Sequence, residues 1–536
     1  MFQYSVVHSL EELEKFRRSW ATLLEKEGNT NPFIEPEWFF SWLSFFKKPG
    51  SFEIYIVKYN NEIVAFFPFV HSVRFGIHRF QFIHSDYMDV ISCTKWRGKA
   101  VEYLFDELSQ RFGRIIFQLN DLLESQETSR LIESYAIRNQ LPYSIFRTVE
   151  PKIDLSLIEL PEYKRKLRKK VANINRRERK LQTLGKVTHE EVQVENLNEV
   201  FEIYDKRWKK RFESSGFTNP VKRAFFESLF NEKSKSFRLE VNKLKFEDTI
   251  IGFTFYACCR DRKACYRIGH DPDFHLFGPG SMIIYKDLQK TKASYIKVMD
   301  YCNGYEPYKV EWSTHLDFTR QYVMSTRGKR ERVFRDIISL FYSFKFKLRS
   351  SRRYVDFKRE TLGEIKYFIS HMKILEFLKK LTTVIRSQIN LRVIDVYRLE
   401  RNNTEDISYF REVGIKEVLG TDNQSTRVPE FFKGFRLYAN EEQEIIFKRH
   451  DRLIRTEIVN PPEDLPPQSA FIVDYQLKDL HDILKDKSMQ NLSIWTIANG
   501  SAYRLKRKLK DLGFNHIERV RKYRFFGIQN VVRLKK

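Results

Sequence analysis

Apolar residues along this chain recur at two spacings, and the spacings alternate in a repeated order. Over 11–25, Leu13, Phe16, Trp20 and Leu23 fall on one face and predict an amphipathic helix. A second, aromatic-rich helix is predicted over 36–46, with Pro36 at its start, where a missing N–H costs little. Strands follow over 52–59, 63–70 and 79–83, the first two joined by the tight-turn pair Asn60-Asn61. A helix over 99–111, a strand over 114–119, a helix over 128–139 and a strand over 143–149 complete the first round.

The order then returns. Helices are predicted over 197–212 and 220–230, and strands over 237–244, 249–259 and 264–269. A helix over 281–292, a strand over 295–301, a short helix near Tyr308 and a strand over 321–325 close that round. After residue 390 it returns again. A strand over 392–399 precedes a meander over 435–439, 445–449 and 453–459. Then come a strand over 471–474, a helix over 478–484, a strand over 492–497, a helix over 501–512 and a strand over 517–526. The periods are irregular and longer than solenoid repeats, so the pattern reads as domain duplication. The expected organisation is a unit over 1–155, a second over 156–326, a basic helical linker over 327–390 and a third unit over 391–536.

Composition narrows the partners more than the fold. The chain has 536 residues, 42% of them hydrophobic, enough to build cores rather than a disordered polymer. Lys and Arg number 95 against 70 Asp and Glu, a net charge of +25 that attracts RNA, anionic membrane, acidic glycan or a phosphorylated co-substrate without choosing among them. Residues 164–180 carry ten Lys or Arg and one acid, Glu178, with Leu167, Val171 and Ile174 at helical spacing. That basic helix is a solvated face, a contact to anionic lipid or a nucleic-acid contact; it lacks the stacking aromatics of a single-strand binder. The five cysteines (Cys93, Cys258, Cys259, Cys265 and Cys302) form no C-x-x-C pair, which argues against a disulfide framework and fits a reducing compartment. No secretory signal or bilayer-length apolar run is apparent, so a cytoplasmic protein is expected, peripheral at the inner membrane face if it meets lipid.

The segment 264–312 carries the chemistry. It reads strand, His270-Asp271-Pro272, a loop ending Phe277-Gly278-Pro279-Gly280, then a helix from Ser281. Glycines at a strand-to-helix turn let backbone N–H groups approach a ligand, and a helix start favours phosphate. The spacing His275-x-x-Gly278-x-Gly280 echoes the Q/R-x-x-G-x-G/A pyrophosphate loop of GNAT acyltransferases, with His in place of Gln or Arg. The next strand leads into Asp300-Tyr301-Cys302-Asn303-Gly304-Tyr305-Glu306-Pro307-Tyr308-Lys309-Val310-Glu311-Trp312. This run resembles the D-F-x-x-G-x-E-x-Y-K-x-x-W signature of the CelD/BcsL-type acetyltransferase-like family, within the GNAT superfamily and related to the Fem-type peptidoglycan aminoacyltransferases. Tyr301 stands where Phe is usual. Gly269, Asp271, Pro272, Phe274, Pro279 and Gly280 follow the family's upstream pattern. Asn31-Pro32-Phe33, Glu37-Trp38, Asp86-Tyr87-Met88-Asp89 and Arg207-Trp208 match its other hallmarks. The resemblance covers about 1–325.

That resemblance implies an α+β fold of tandem GNAT-like domains, with mixed central sheets flanked by helices and a third unit similar in outline. It implies an acyltransferase with acetyl-CoA or another acyl-CoA as co-substrate, acting on an amine or hydroxyl of a sugar or cell-envelope precursor. Two alternatives stand beside it: a Fem-like transferase using aminoacyl-tRNA, and a non-catalytic GNAT-like scaffold in polysaccharide biosynthesis. Only the middle unit has a G-x-G turn, so one donor site is expected there, with the first unit completing an acceptor cleft. Donor-binding candidates are His275, Gly278, Gly280, Ser281 and Lys309. Acceptor-binding candidates are Arg207, Trp208, Asp86 and Tyr87. Asp271 orients or deprotonates the acceptor, or else caps the Asp-Pro turn. Glu306 is the second candidate carboxylate, or a surface acid near a helix start. Tyr308 contacts the leaving group, or packs one helix face with Trp312. His270 and His275 have no metal-ligand partners at sensible spacing, so no metal is expected.

Overall fold

The computed structural model describes residues 1–83, 86–193, 196–209, 216–232 and 234–350 and, with interruptions, 389–534. Two units emerge. One holds Met1–Glu178, Val187–Asp271 and Gly278–Glu364; the other holds Arg179–Lys186, Pro272–Phe277 and Ile365–Lys536.

In the first unit two halves repeat one order of elements. The first half runs β1 (Phe2–Val7), α1 (Leu10–Glu14), α2 (Arg17–Lys26), α3 (Pro36–Phe46), β2 (Glu53–Tyr59) and β3 (Glu62–Arg74). It continues through β4 (Ile77–Phe82), β5 (Ile91–Ser92), α4 (Thr94–Phe112), β6 (Ile115–Leu123), α5 (Glu127–Arg138) and β7 (Tyr143–Asp154). The second half runs α6 (Pro161–Gln182), β8 (Val187–Glu191), α7 (Leu197–Lys209), α8 (Pro220–Asn231), β9 (Phe237–Phe246) and β10 (Thr249–Cys259). It continues through β11 (Arg262–His270), α9 (Pro279–Lys292), β12 (Val298–Asp300), α10 (Pro307–Trp312) and β13 (His315–Ser325), and α11 (Lys329–Ser350) follows. The single helix expected over 11–25 is two, α1 and α2, divided at Phe16, whose backbone (φ −105°, ψ 1°) leaves the helical region.

All thirteen strands join one sheet, in the order β1-β2-β3-β4-β6-β13-β7-β12-β11-β10-β9-β8, with β5 beside β3. Each half contributes an antiparallel meander that ends on one parallel pair, β4 with β6 and β11 with β12. The two halves trade their last strands. β13 of the second half lies beside β6 of the first, and β7 of the first lies beside β12 of the second. The exchanged strands pair with each other from His315↔Lys152 to Met324↔Tyr143.

The cores explain the aromatic content. A helix with apolar residues on more than one face can serve more than one core, and α3, interrupted only by Glu37, Ser41 and the exposed Ser44, is such a helix. Its Phe39, Phe40 and Leu43 enter the core of the first half around Trp20, and its Trp38 enters the core of the second around Phe225, Phe226 and Phe237. Trp20 stacks on Phe39 at 5.0 Å, and Trp38 meets Phe225 edge-on at 5.5 Å.

The second unit has an eight-stranded sheet of the same kind. A meander of Arg411–Val413, Arg436–Ala439, Ile445–His450 and Ser469–Val473 leads to Ser493–Asn499, which pairs parallel to Ser469–Val473. Here the strand beside the parallel pair is the unit's own first strand, Ile389–Leu399, followed by the hairpin Asn515–Phe525 and Ile528–Leu534. Most of the expected basic linker, 351–388, lies outside the described residues. Among the described residues no helix is long and apolar enough to cross a membrane.

Candidate active site

The site begins where two parallel strands part. β11 and β12 are in register for only three residue pairs, Arg262↔Val298, Lys263↔Met299 and Ala264↔Asp300. β11 runs on to His270, but β12 ends at Asp300. Beyond it the chain stays with β7: the Tyr301 N–H donates to the Pro151 carbonyl (3.0 Å) and the Gly304 N–H to the Val149 carbonyl (3.1 Å). Cys302 takes a left-handed backbone (φ 55°) in the turn between them. From Cys265 onward, β11 therefore has a strand partner only on its β10 side, where Tyr266 forms a bulge opposite Phe255/Tyr256. Bulges of this kind re-aim side chains and often flank active sites.

A cavity of about 200 Å³ fills the gap, bounded by 265–268 of β11, by Tyr301 to Asn303, by Glu306, Tyr308 and Lys309 at the start of α10, and by Asp86. Lys309 is buried. Its Nζ donates to the Asn303 carbonyl (2.8 Å) and pairs with Glu306 Oε2 at 2.9 Å. Burial opposes the Lys309 charge, but Glu306 outweighs it and raises the lysine's pKa, so the site keeps a cation there. The exposed Arg267 guanidinium lies 4.2 Å over the Tyr266 ring at the cavity mouth. Burial pushes the Cys265 thiol up to about 12, so it is no thiolate nucleophile at neutral pH.

Tyr301 is the unexpected member. Its side chain is 1% exposed, and its hydroxyl has no hydrogen-bond partner among the described residues. Buried hydroxyls are nearly always paired. Tyr301 is also one of the residues that bound the cavity. The Tyr301 ring meets the Tyr308 ring edge-on at 6.4 Å.

Beneath the cavity lies a buried polar hub. Tyr87 Oη sits 2.7 Å from Glu150 Oε2 and 2.9 Å from Asp300 Oδ1. Arg262 Nε donates to Asp300 Oδ2 (3.0 Å), and the Thr319 hydroxyl donates to Glu150 Oε1 (3.1 Å). One phenol proton cannot serve two carboxylates. Burial, then the Asp300 charge, push Glu150 well above the usual carboxylate range, so Glu150 holds a proton and donates to Tyr87, which donates to Asp300. Burial also acts on Asp300, but the Arg262 guanidinium wins and lowers its pKa. The hub joins β7, β11, β12 and β13 at the crossing of the exchanged strands.

The hub makes stability depend on pH in two opposed ways. Glu150 binds its proton more tightly in the folded chain, so its contribution is full below the ordinary carboxylate range and is lost as pH rises through its folded pKa. Asp300 contributes above that range and loses its contribution as pH falls through its lowered pKa. We expect Glu150→Gln to melt with the wild type near pH 4 and above it near pH 9, since the amide donates to Tyr87 without an ionisation to suppress. Melting temperatures across pH check this; equal curves at all pH values refute the protonated Glu150.

At the other end of β11, α9 is held down by Asp287. This fully buried carboxylate accepts from Asn242 Nδ2 (2.9 Å), Thr254 Oγ1 (2.7 Å) and Tyr256 Oη (2.8 Å). The helix opens on Gly278, whose left-handed backbone (φ 74°, ψ 45°) favours glycine. A Cβ there would meet Arg177 Nη1 at 2.7 Å, so a guanidinium lies against the helix start. A Cβ on Gly280 would meet only His270 Nδ1, at 3.4 Å. The Ser281 N–H donates to the Gly278 carbonyl (3.1 Å).

The sequence candidates therefore divide. Asp86, Glu306, Tyr308 and Lys309 share the cavity; Gly278, Gly280 and Ser281 form the start of α9. Asp271 is buried beside the end of β11, outside the cavity lining, and pairs with Lys206 Nζ at 2.8 Å. Tyr87 belongs to the hub rather than to the lining. His275 lies in the second unit, its Nδ1 2.9 Å from the Pro272 carbonyl. Arg207 and Trp208 fall on α7, and their side chains lie outside the described residues. Among the described residues no cluster of His, Cys, Asp and Glu is suited to a metal ion.

The counterpart gap in the first half is filled by its own chain. Met88 bridges in parallel to Leu122 of β6, its N–H donating to the Asp121 carbonyl (3.1 Å), and β5 takes over beside β3.

Residues 168–310 match the family model described as the acetyltransferase (GNAT) domain. That segment, in the second half of the first unit, is similar to a GNAT domain. The matched segment runs from α6 into α10 and so contains the parted strands, the Gly278–Gly280 turn and most of the cavity. No curated protein matches the chain. Similar solved structures include the C-terminal domain of a putative lysylphosphatidylglycerol synthetase from Agrobacterium fabrum (9% identity, 62% of this chain and 97% of that one, TM-score 0.39). They also include FemX (8% identity, 59% and 96%, TM-score 0.40) and a tandem GNAT protein from the clavulanic acid biosynthesis pathway (10% identity, 60% and 98%, TM-score 0.35). The GNAT segment is the half whose strands part; the half whose gap is closed lies outside the match.

Proposed function

We propose that the chain transfers an acetyl group from acetyl-CoA to an amine or hydroxyl of a sugar or cell-envelope precursor, at one site in the second half of the first unit. The observation that carries this reading is the parting of β11 from β12 after Ala264 and Asp300, which opens a cavity bounded in part by Tyr301, Tyr308 and Lys309. A strand edge that has parted from its neighbour accepts an extended amide-bearing arm as an added strand would. The start of α9, with Arg177 against Gly278, suits the phosphates at the far end of that arm. The 200 Å³ cavity suits the small acyl end rather than the nucleotide.

The chemistry is assigned as follows. The acceptor nitrogen or oxygen attacks the thioester carbonyl, and the new bond forms as the carbonyl oxygen takes the charge. Glu306, at the cavity edge, takes the acceptor proton. Tyr301 donates to the oxyanion, and Tyr308 protonates the departing thiolate as the C–S bond breaks. Lys309 and Arg267 keep the local field positive while that charge develops. Asp86 faces the acceptor. Asp271, paired with Lys206, holds the end of β11 in place.

A ligand that binds only the folded state raises stability by mass action. Acetyl-CoA at roughly 100 times its Kd should add about 2.7 kcal/mol to the first unit, a rise of roughly 4 °C in Tm. Tryptophan fluorescence reads this, because all the tryptophans except Trp495 belong to the first unit. Gly280→Glu should fold, given the room at that Cβ, and lose the rise through charge repulsion. No shift with any acyl-CoA would remove the reading.

A further inference from the structure

A second cavity lies away from the parted strands and does not depend on the transferase reading. It is an open trough of about 810 Å³ between α6 and α9. Ile158, Tyr163, Leu167 and Val171 form one wall, and Tyr285 and Leu288 of α9 form the other. Pockets of this size bury drug-sized apolar ligands. The rim is basic: Lys164, Arg165, Arg168 and Lys292 line it. Glu159 pairs with both Lys164 and Lys292. Arg165 and Arg168 have no carboxylate partner among the described residues. Beside the trough, Leu157 (37% exposed), Leu160 (46%) and Tyr295 (66%) stand out into solvent.

Each feature has an ordinary explanation alone. Together they describe one ligand chemistry. An apolar slot accepts hydrocarbon, a cationic lip accepts a phosphate ester, and protruding leucines with a tyrosine enter the edge of a bilayer. A soluble polyanion would have no use for the slot, and a neutral acyl chain none for the two unpaired arginines. We propose that the α6–α9 trough seats an acyl chain of an anionic phospholipid at a bilayer surface, with Arg165 and Arg168 on its phosphate.

The test uses the full chain and two probes. One is vesicles of phosphatidylcholine with or without phosphatidylglycerol; the other is monomeric dioctanoyl-phosphatidylglycerol below its micelle concentration. The wild type should float with the anionic vesicles only, and should bind the monomer saturably, one to one, by native mass spectrometry. Arg165→Gln/Arg168→Gln should lower vesicle partitioning about thirtyfold, from about a fivefold contribution of each cation near the surface. Ala172→Trp, which fills the trough from an exposed position of α6, should abolish monomer binding while keeping both arginines. Both variants should keep the wild-type melting temperature and transferase activity. Vesicle binding that ignores Ala172→Trp, without monomer binding, would overturn the acyl seat and leave a merely charged surface. Absence of any lipid binding by the wild type would overturn the proposal outright and point to another segment of this chain as the occupant.

Discussion

Tyr301→Phe should make the first unit more stable and the enzyme about a hundredfold slower. The two effects have one cause. The Tyr301 hydroxyl is buried without a partner among the described residues. Leaving a buried hydroxyl unpaired costs about 1–3 kcal/mol, so its removal should return about 1 kcal/mol to the folded state. In the transition state the same hydroxyl meets a carbonyl oxygen that is becoming an oxyanion, and losing one such donor costs about 10²–10³ in kcat. KM should change little, because the ground-state carbonyl is a weak acceptor. Urea unfolding and kcat at saturating acetyl-CoA decide the matter. A variant that is less stable and fully active would show that the hydroxyl has a partner and no part in transfer.

Arg262→Met should cost the first unit about 3–5 kcal/mol, the toll of leaving a buried charge without its partner. Arg262 is 6% exposed and Asp300 fully buried, and two guanidinium nitrogens face one carboxylate. The guanidinium also lies 5.2 Å over the Tyr87 ring. Without it, Asp300 must ionise alone or take a proton, and the Glu150–Tyr87–Asp300 chain loses its acceptor. Adding Asp300→Asn should recover part of the loss, because a neutral amide needs no counter-charge. Tryptophan fluorescence during urea unfolding provides the measurement. A loss below about 1 kcal/mol, the usual worth of an exposed pair, would mean that water reaches the pair.

What was legible in the sequence was local. The strand expected over 249–259 is β10 to the residue, and the glycine turn does open a helix, at Pro279. These signals are written in neighbouring residues: an apolar run bounded by turns, and a left-handed glycine before a proline. The traded strands were not legible. β7 and β13 alternate like ordinary edge strands, and nothing in a two-residue period names a partner some 170 positions away. β8 was missed because Val187–Glu191 is short and polar. Tyr301 did leave a trace, as a hydroxyl where the resembling family has Phe. The sequence reading drew nothing from that departure, although a phenol at a core position needs a partner. The buried hub was hidden for a related reason, since Tyr87, Glu150, Arg262 and Asp300 come from four separate stretches.

The trade of strands also sets a timetable for synthesis. The free edge of β6 is covered by β13, so the first half cannot close when its own last residue leaves the ribosome. It must wait until Ser325 has been made, roughly 10–30 s at 5–20 residues per second. During that wait a long apolar strand, Ile115–Leu123, presents an unpaired edge to every other nascent chain nearby. Slow codons between the halves would lengthen the exposure, and expression yield should fall with them while the purified protein stays unchanged.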